Sequence, residues 1–152
     1  MAVQSLFYRY MLNPVMRVLL RSPLHGVASG SIGILHFTGR RSGRALDTPL
    51  SFMREGQTIW LLSAKRTQWW MNFRDGDDSP VEMEIAGKRH PGRARLYEGD
   101  SEALRDGVRR FLAAVPRDAP IYGLKLDARK QVTDASLAAQ AADLILVRVD
   151  LV

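Results

Sequence analysis

The chain has 152 residues, of which 46% are hydrophobic, 25% charged and 8% aromatic, the profile of an ordinary globular domain rather than a disordered or collagen-like one. It contains no cysteine, which excludes disulfides, thiolate zinc sites, iron–sulfur clusters and a cysteine nucleophile, and points to the cytoplasm. The net charge of +6 is uneven: residues 1–76 hold ten Lys/Arg against three Asp/Glu, and residues 77–152 hold twelve against thirteen, so one end should attract anions.

Residues 4–21 read as a helix, re-entered at Pro14. Leu12, Val15, Met16, Leu19 and Leu20 follow helical spacing, with Arg17 and Arg21 interleaved. A helix packed on its own domain is the plainer reading, and a peripheral membrane contact is the alternative. No stretch reaches the ~18 apolar residues of a spanning helix. Residues 31–38 have strand character, 39–44 (Gly-Arg-Arg-Ser-Gly-Arg) form a basic loop, and 45–53 resume as strand with Leu50 and Phe52 alternating. After a turn at 54–57, residues 58–64 read as a buried strand. A second basic loop, 65–67, leads into an aromatic helical turn from Trp69 to Phe73.

Val81, Met83 and Ile85 alternate with polar neighbours as a half-exposed strand, and a further strand runs to about Tyr97. Residues 101–115 are the clearest helix, with Leu104, Val108, Phe111, Leu112 and Val115 on one face, a cap at Asp100 or Ser101 and a stop at Pro116. A short helix over 135–142 and a strand over 144–151 complete the order. Short-spaced strands without crossover helices imply an antiparallel sheet. The predicted fold is mainly β with flanking helices (α+β), a small, partly open barrel of about six strands.

The 39–44 loop carries the chemistry most plainly. Arg40, Arg41 and Arg44 offer guanidinium forks for phosphate oxygens, and Ser42 and exposed backbone N–H groups can add to them. It is not a P-loop, because a strand follows it and no Gly-Lys-Ser/Thr ending is present. Lys65 and Arg66 would join this loop if their strands are neighbours, and Trp69 and Trp70 beside them suit a flat conjugated ligand. His25, His36 and His90 are isolated, so no metal is expected, and His36 reads as structural. Tyr122, a lone phenol in a loop, is a candidate proton or hydrogen-bond donor. The charge comes with no groove-reading helix or RNA-binding aromatic motif, so nucleic acid is not an expected partner.

The series His36-Phe-Thr-Gly-Arg-Arg-Ser-Gly-Arg, Thr48-Pro49-Leu50, Lys65 and Trp69-Trp70-Met-Asn72-Phe-Arg74 resembles the deazaflavin-dependent nitroreductase and quinone reductase family of the flavin/deazaflavin oxidoreductases. The resemblance covers roughly residues 12–97 and implies a split β-barrel of the FMN-binding-protein type. It implies one domain over 1–152: a helical segment to residue 29, a barrel core over 30–99, and a helix and closing strand over 100–152. It also implies coenzyme F-420 as hydride carrier. Arg40, Arg41, Ser42 and Arg44, with Lys65, would hold its anionic tail. Thr48, Pro49 and Leu50 would lie along its ring, Ser63 and Ala64 would line the ring's edge, and Trp69, Trp70 and Asn72 would close the pocket. Tyr122 is assigned to polarising the acceptor. Only Tyr122 remains of the late tyrosines found in nitroimidazole-reducing members, so a quinone, with a membrane quinone as one option, is the better acceptor than a nitro compound. FMN is the alternative cofactor, and a non-catalytic lipid or tetrapyrrole binder the alternative function. The family permits a monomer or a homodimer.

Overall fold

The computed structural model describes residues 32–152 except Asp75 and Asp77. The helix expected over 4–21, with its membrane alternative, lies outside these residues. The described chain forms strands β1 (Ile32–Thr38), β2 (Ala45–Ser51), β3 (Met53–Glu55), β4 (Thr58–Ala64), β5 (Ser79–Ile85), β6 (Lys88–Glu98) and β7 (Leu144–Leu151). Helices α1 (Glu102–Ala114) and α2 (Asp134–Gln140) separate β6 from β7, and 3-10 helices span Trp69–Phe73 and Pro116–Tyr122.

All pairings are antiparallel, in the order β2-β1-β5-β6-β7-β4-β3, a sheet curled into a half-barrel. The sheet has seven strands rather than about six because the stretch read as one strand over 45–53 divides at Phe52. Its first part pairs with β1 and its second with β4, so the two margins of the sheet are consecutive in sequence. β6 turns the corner: its first part pairs with β5 and its second with β7, and Gly92, Arg93 and Ala94 pair with both. A Cβ at Gly92 would lie 2.8 Å from the Asp150 carbonyl oxygen and 2.9 Å from Val149, so only glycine allows the bend. β5 and β6 are joined by Ala86-Gly87, both at positive φ as a tight hairpin turn requires.

Two cores lie on opposite faces of the sheet. Inside the curl, Leu35, Leu50, Phe52, Ile59, Leu61, Met83, Ile145 and Val147 pack with Trp69, Trp70 and Phe73. Outside, Trp60, Leu62, Leu144 and Leu146 pack against Leu104, Val108, Phe111 and Leu112 of α1. This explains why β4 and β7 read as unbroken apolar runs: both of their faces are buried. α1 starts as expected, with Ser101 Oγ accepting the Leu104 N–H at 3.1 Å. The segment after Pro116, expected as loop, is instead a 3-10 helix seated on the outer core.

Candidate active site

The β1–β2 hairpin ends in the basic loop, which its own backbone closes. Gly39 N–H donates to the Arg44 carbonyl at 2.8 Å and Gly43 N–H to the Gly39 carbonyl at 2.9 Å. Ser42 Oγ accepts the Arg44 N–H at 3.2 Å. Each glycine has a separate reason: a Cβ on Gly39 would lie 2.5 Å from Ser42 Oγ, and Gly43 sits at φ +69. The N–H groups of residues 39, 40, 43 and 44 are therefore committed within the protein. An anion at this loop would be held mainly by guanidinium groups, with less help from the backbone N–H groups than the sequence reading allowed.

β1 and β4 are not neighbours, so Lys65 and Arg66 do not reach the loop by strand pairing. The link is the 3-10 helix Trp69–Phe73. Arg40 N–H donates to Asn72 Oδ1 at 2.9 Å, and Asn72 Nδ2–H donates to the Trp69 carbonyl at 2.9 Å. This network also sets which way the Asn72 amide points. Between hairpin and helix lies a cavity of about 580 Å³. Phe37, Leu46, Trp69 and Met71 form its apolar walls, and Arg40, Arg41, Ser42, Asp47, Gln68 and Asn72 its polar ones.

Thr48 also lines the cavity. It is 2% exposed, and its hydroxyl is occluded and has no hydrogen-bond partner among the described residues. A buried hydroxyl without a partner is costly.

Of the residues expected at the site, the cavity brings together Arg40, Arg41, Ser42, Thr48, Trp69 and Asn72. The others lie elsewhere. Arg44 and Lys65 are exposed outside it, and the Lys65 N–H is bound to the Asp143 carbonyl. Pro49 pairs with Ile34, and Leu50 belongs to the inner core. Ala64 is buried at the end of β4. Ser63 is turned behind Trp69, whose indole N–H it accepts at 3.2 Å. Trp70 is 1% exposed in the inner core, with the Arg74 guanidinium 4.8 Å over its ring, so neither tryptophan is exposed. Tyr122 sits on the outer core and donates its hydroxyl to the Leu62 carbonyl at 2.9 Å. Burial, then the Asp118 charge, raises its pKa well above the ordinary phenol range. It is not among the residues lining the cavity, and its hydroxyl is already engaged.

Phe37, Leu46, Gln68 and Met71 were not singled out from sequence. Their signal was position alone, beside the two motifs that face each other here. His36, read as structural, is bound through Nε2 to Glu84 at 2.7 Å, with Asp47 3.9 Å from Nδ1.

A curled antiparallel half-barrel with an arginine-rimmed, aromatic-walled cavity defines a split-barrel protein of the FMN-binding-like type. Solved structures share the fold at low identity. One, a domain-swapped dimer, is 19% identical over 90% of this chain and 93% of its own, with a TM-score of 0.56. An F420-H2-dependent reductase is 18% identical over 80% and 95%, at 0.51. A putative 5-nitroimidazole antibiotic resistance protein from Bacteroides thetaiotaomicron is 10% identical over 84% and 76%, at 0.53. No curated protein matches the sequence. The profile of the F420H(2)-dependent quinone reductase family matches residues 22–134, and the chain belongs to that family. Among the described residues, no helix is long and apolar enough to cross a membrane.

Proposed function

We propose that the cavity binds coenzyme F-420 and that the protein is a reductase passing a hydride from the reduced cofactor to a quinone-like or other small organic acceptor. The observation that carries this reading is one cavity with arginines at one end and a flat aromatic wall beside them. That pairing suits a conjugated ring that bears an anionic tail. The surroundings fit the same group. Phe37, Trp69 and Met71 offer flat or apolar surface to a ring, and Arg40 and Arg41 offer charge to its phosphate. Arg44, exposed on the same hairpin, extends that charge toward an acidic tail.

When bound, the deazaflavin supplies the hydride-carrying carbon, and the protein supplies orientation. Arg40 and Arg41 would hold the anionic end, and Trp69 would offer its face to the ring, with Thr48 bordering the same slot. The Arg40–Asn72–Trp69 hydrogen bonds hold both walls at one separation. The family membership favours a quinone as acceptor. The domain-swapped neighbour supports a homodimer reading for this chain, which light scattering would test.

The test is titration of the purified protein with F-420 and, separately, FMN, following quenching of tryptophan fluorescence. Tight F-420 binding with little FMN binding supports the proposal, and Arg41→Ala should then weaken it most at low ionic strength. FMN binding alone moves the protein to the flavin branch of the fold. Binding of neither overturns the oxidoreductase reading.

A further inference from the structure

Ser63 and Thr67 touch Trp69 from behind. The Trp69 indole N–H donates to Ser63 Oγ at 3.2 Å within the buried interior. Ser63 Oγ and Thr67 Oγ1 are 2.6 Å apart, and Thr67 Oγ1 donates to the Ala64 carbonyl at 2.8 Å. Each hydroxyl has one proton to give. The assignment that satisfies both contacts has Thr67 donating to the Ala64 carbonyl and Ser63 donating to Thr67. Ser63 is thereby left as acceptor for the indole. The chain runs in one direction, from Trp69 through Ser63 and Thr67 to a backbone carbonyl at the end of β4, and each of its three protons has an acceptor.

The anchor for this chain is rigid. Thr67 N–H also donates to the Ala64 carbonyl at 3.0 Å, closing the turn that leaves β4. Trp69 is thus held twice, at its carbonyl by Asn72 and at its indole nitrogen through Ser63. Phe73 meets the indole at 75°, with ring centroids 6.2 Å apart, and blocks one side. A phenylalanine at position 69 would offer no N–H to this chain.

We propose that Thr67, acting through Ser63, is a positioning residue: it fixes the plane of the Trp69 indole and so sets which flat ligand the cavity accepts. Thr67 itself is not among the cavity-lining residues. The inference deepens the reading that a planar cofactor binds there and rests on it. A wall held from outside the cavity keeps its angle when the ligand leaves, which lowers the ordering cost of the next binding event.

The experiment compares the full-length protein with Thr67→Val, Thr67→Ser and Ser63→Ala. The first readout needs no ligand: the three indole N–H resonances in a nitrogen–proton NMR spectrum, with Trp69 identified by Trp69→Phe. Trp60 donates its N–H to Glu55, and the Trp70 N–H has no partner among the described residues, so neither should respond. The second readout is F-420 affinity. Thr67→Val and Ser63→Ala should move the Trp69 resonance alone and weaken F-420 binding about tenfold, the worth of one buried hydrogen bond. Thr67→Ser should restore both. A Trp69 resonance unmoved by Thr67→Val, or one that moves while F-420 affinity stays at the wild-type level, overturns the inference. If wild-type protein fails to bind F-420, the function reading falls, and the resonance shifts alone then decide whether Thr67 positions the indole.

Discussion

Replacing Thr48 by valine should raise stability and leave ligand binding unchanged. Valine keeps the branched shape and suits a strand, but it removes a hydroxyl that is buried without a partner. An unsatisfied buried hydroxyl costs about 1–3 kcal/mol, so the empty protein should gain about 1 kcal/mol once packing losses are allowed for. For a chain of this size, that corresponds to a rise in melting temperature of roughly 2–4 °C. Ligand affinity should stay at the wild-type level, because the hydroxyl is occluded from the cavity. Thermal denaturation by circular dichroism measures the first effect, and tryptophan quenching by F-420 the second. A lower melting temperature would mean that the hydroxyl has a partner in solution. A roughly tenfold fall in affinity would mean that the hydroxyl turns into the cavity when the ligand binds.

Tyr122→Phe should destabilise by about 1 kcal/mol through loss of the bond to the Leu62 carbonyl, with reductase kcat unaltered; a large fall in kcat at normal stability would return Tyr122 to the site. Asp118 is 2% exposed, and desolvation raises its pKa against the opposing pulls of Ser51 and Arg117. A carboxyl with a raised folded-state pKa binds its proton more tightly when folded. Its contribution to stability is therefore full in acid and is lost as pH rises through the folded pKa. Asp118→Asn should accordingly gain stability over wild type at neutral pH and lose that advantage near pH 4, as urea midpoints at the two pH values would show. On α1, a Cβ at Gly107 would collide with Leu146 and lie 3.4 Å from Trp60, so Gly107→Ala should destabilise by about 1 kcal/mol, read as a lower urea midpoint, despite its better helix propensity.

Much of this arrangement was legible because it is local. The basic loop lies between two alternating runs and could only be a hairpin tip. The apolar stripe of α1 and its Ser101 cap are written within one segment. The phase of β2 also gave more than was drawn from it: Leu50 and Phe52 face the inner core, so a period of two places Thr48 on the same side. Contacts distant in sequence were not legible. β1 pairs with β5, more than forty residues on, and no spacing rule announces that. The hydroxyls of Ser63 and Tyr122 look alike in a sequence, as groups available to a ligand. Ser63 shares the inward phase of Ile59 and Leu61 but is bound behind Trp69, and Tyr122 is bound to a strand carbonyl. Of the residues named by the family resemblance, Arg40, Arg41, Trp69 and Asn72 line the cavity, and Pro49, Leu50, Ala64 and Trp70 are not among its lining residues.

The seam of the half-barrel has a mechanical consequence. β2 and β3 are the two margins of the sheet, and a single residue, Phe52, carries the chain from one to the other. The split is therefore tethered by a peptide link too short to let the margins part. Spreading the curl must drag β2 along its pairing with β1, and Thr48 moves with it. Widening the cavity and unzipping the first hairpin are then one motion. A ligand gripping both Thr48 and Trp69 would act as a clasp across the seam. Its effect should be read most clearly in slowed hydrogen exchange along β2, on the strand's own amides, rather than only at the residues it touches.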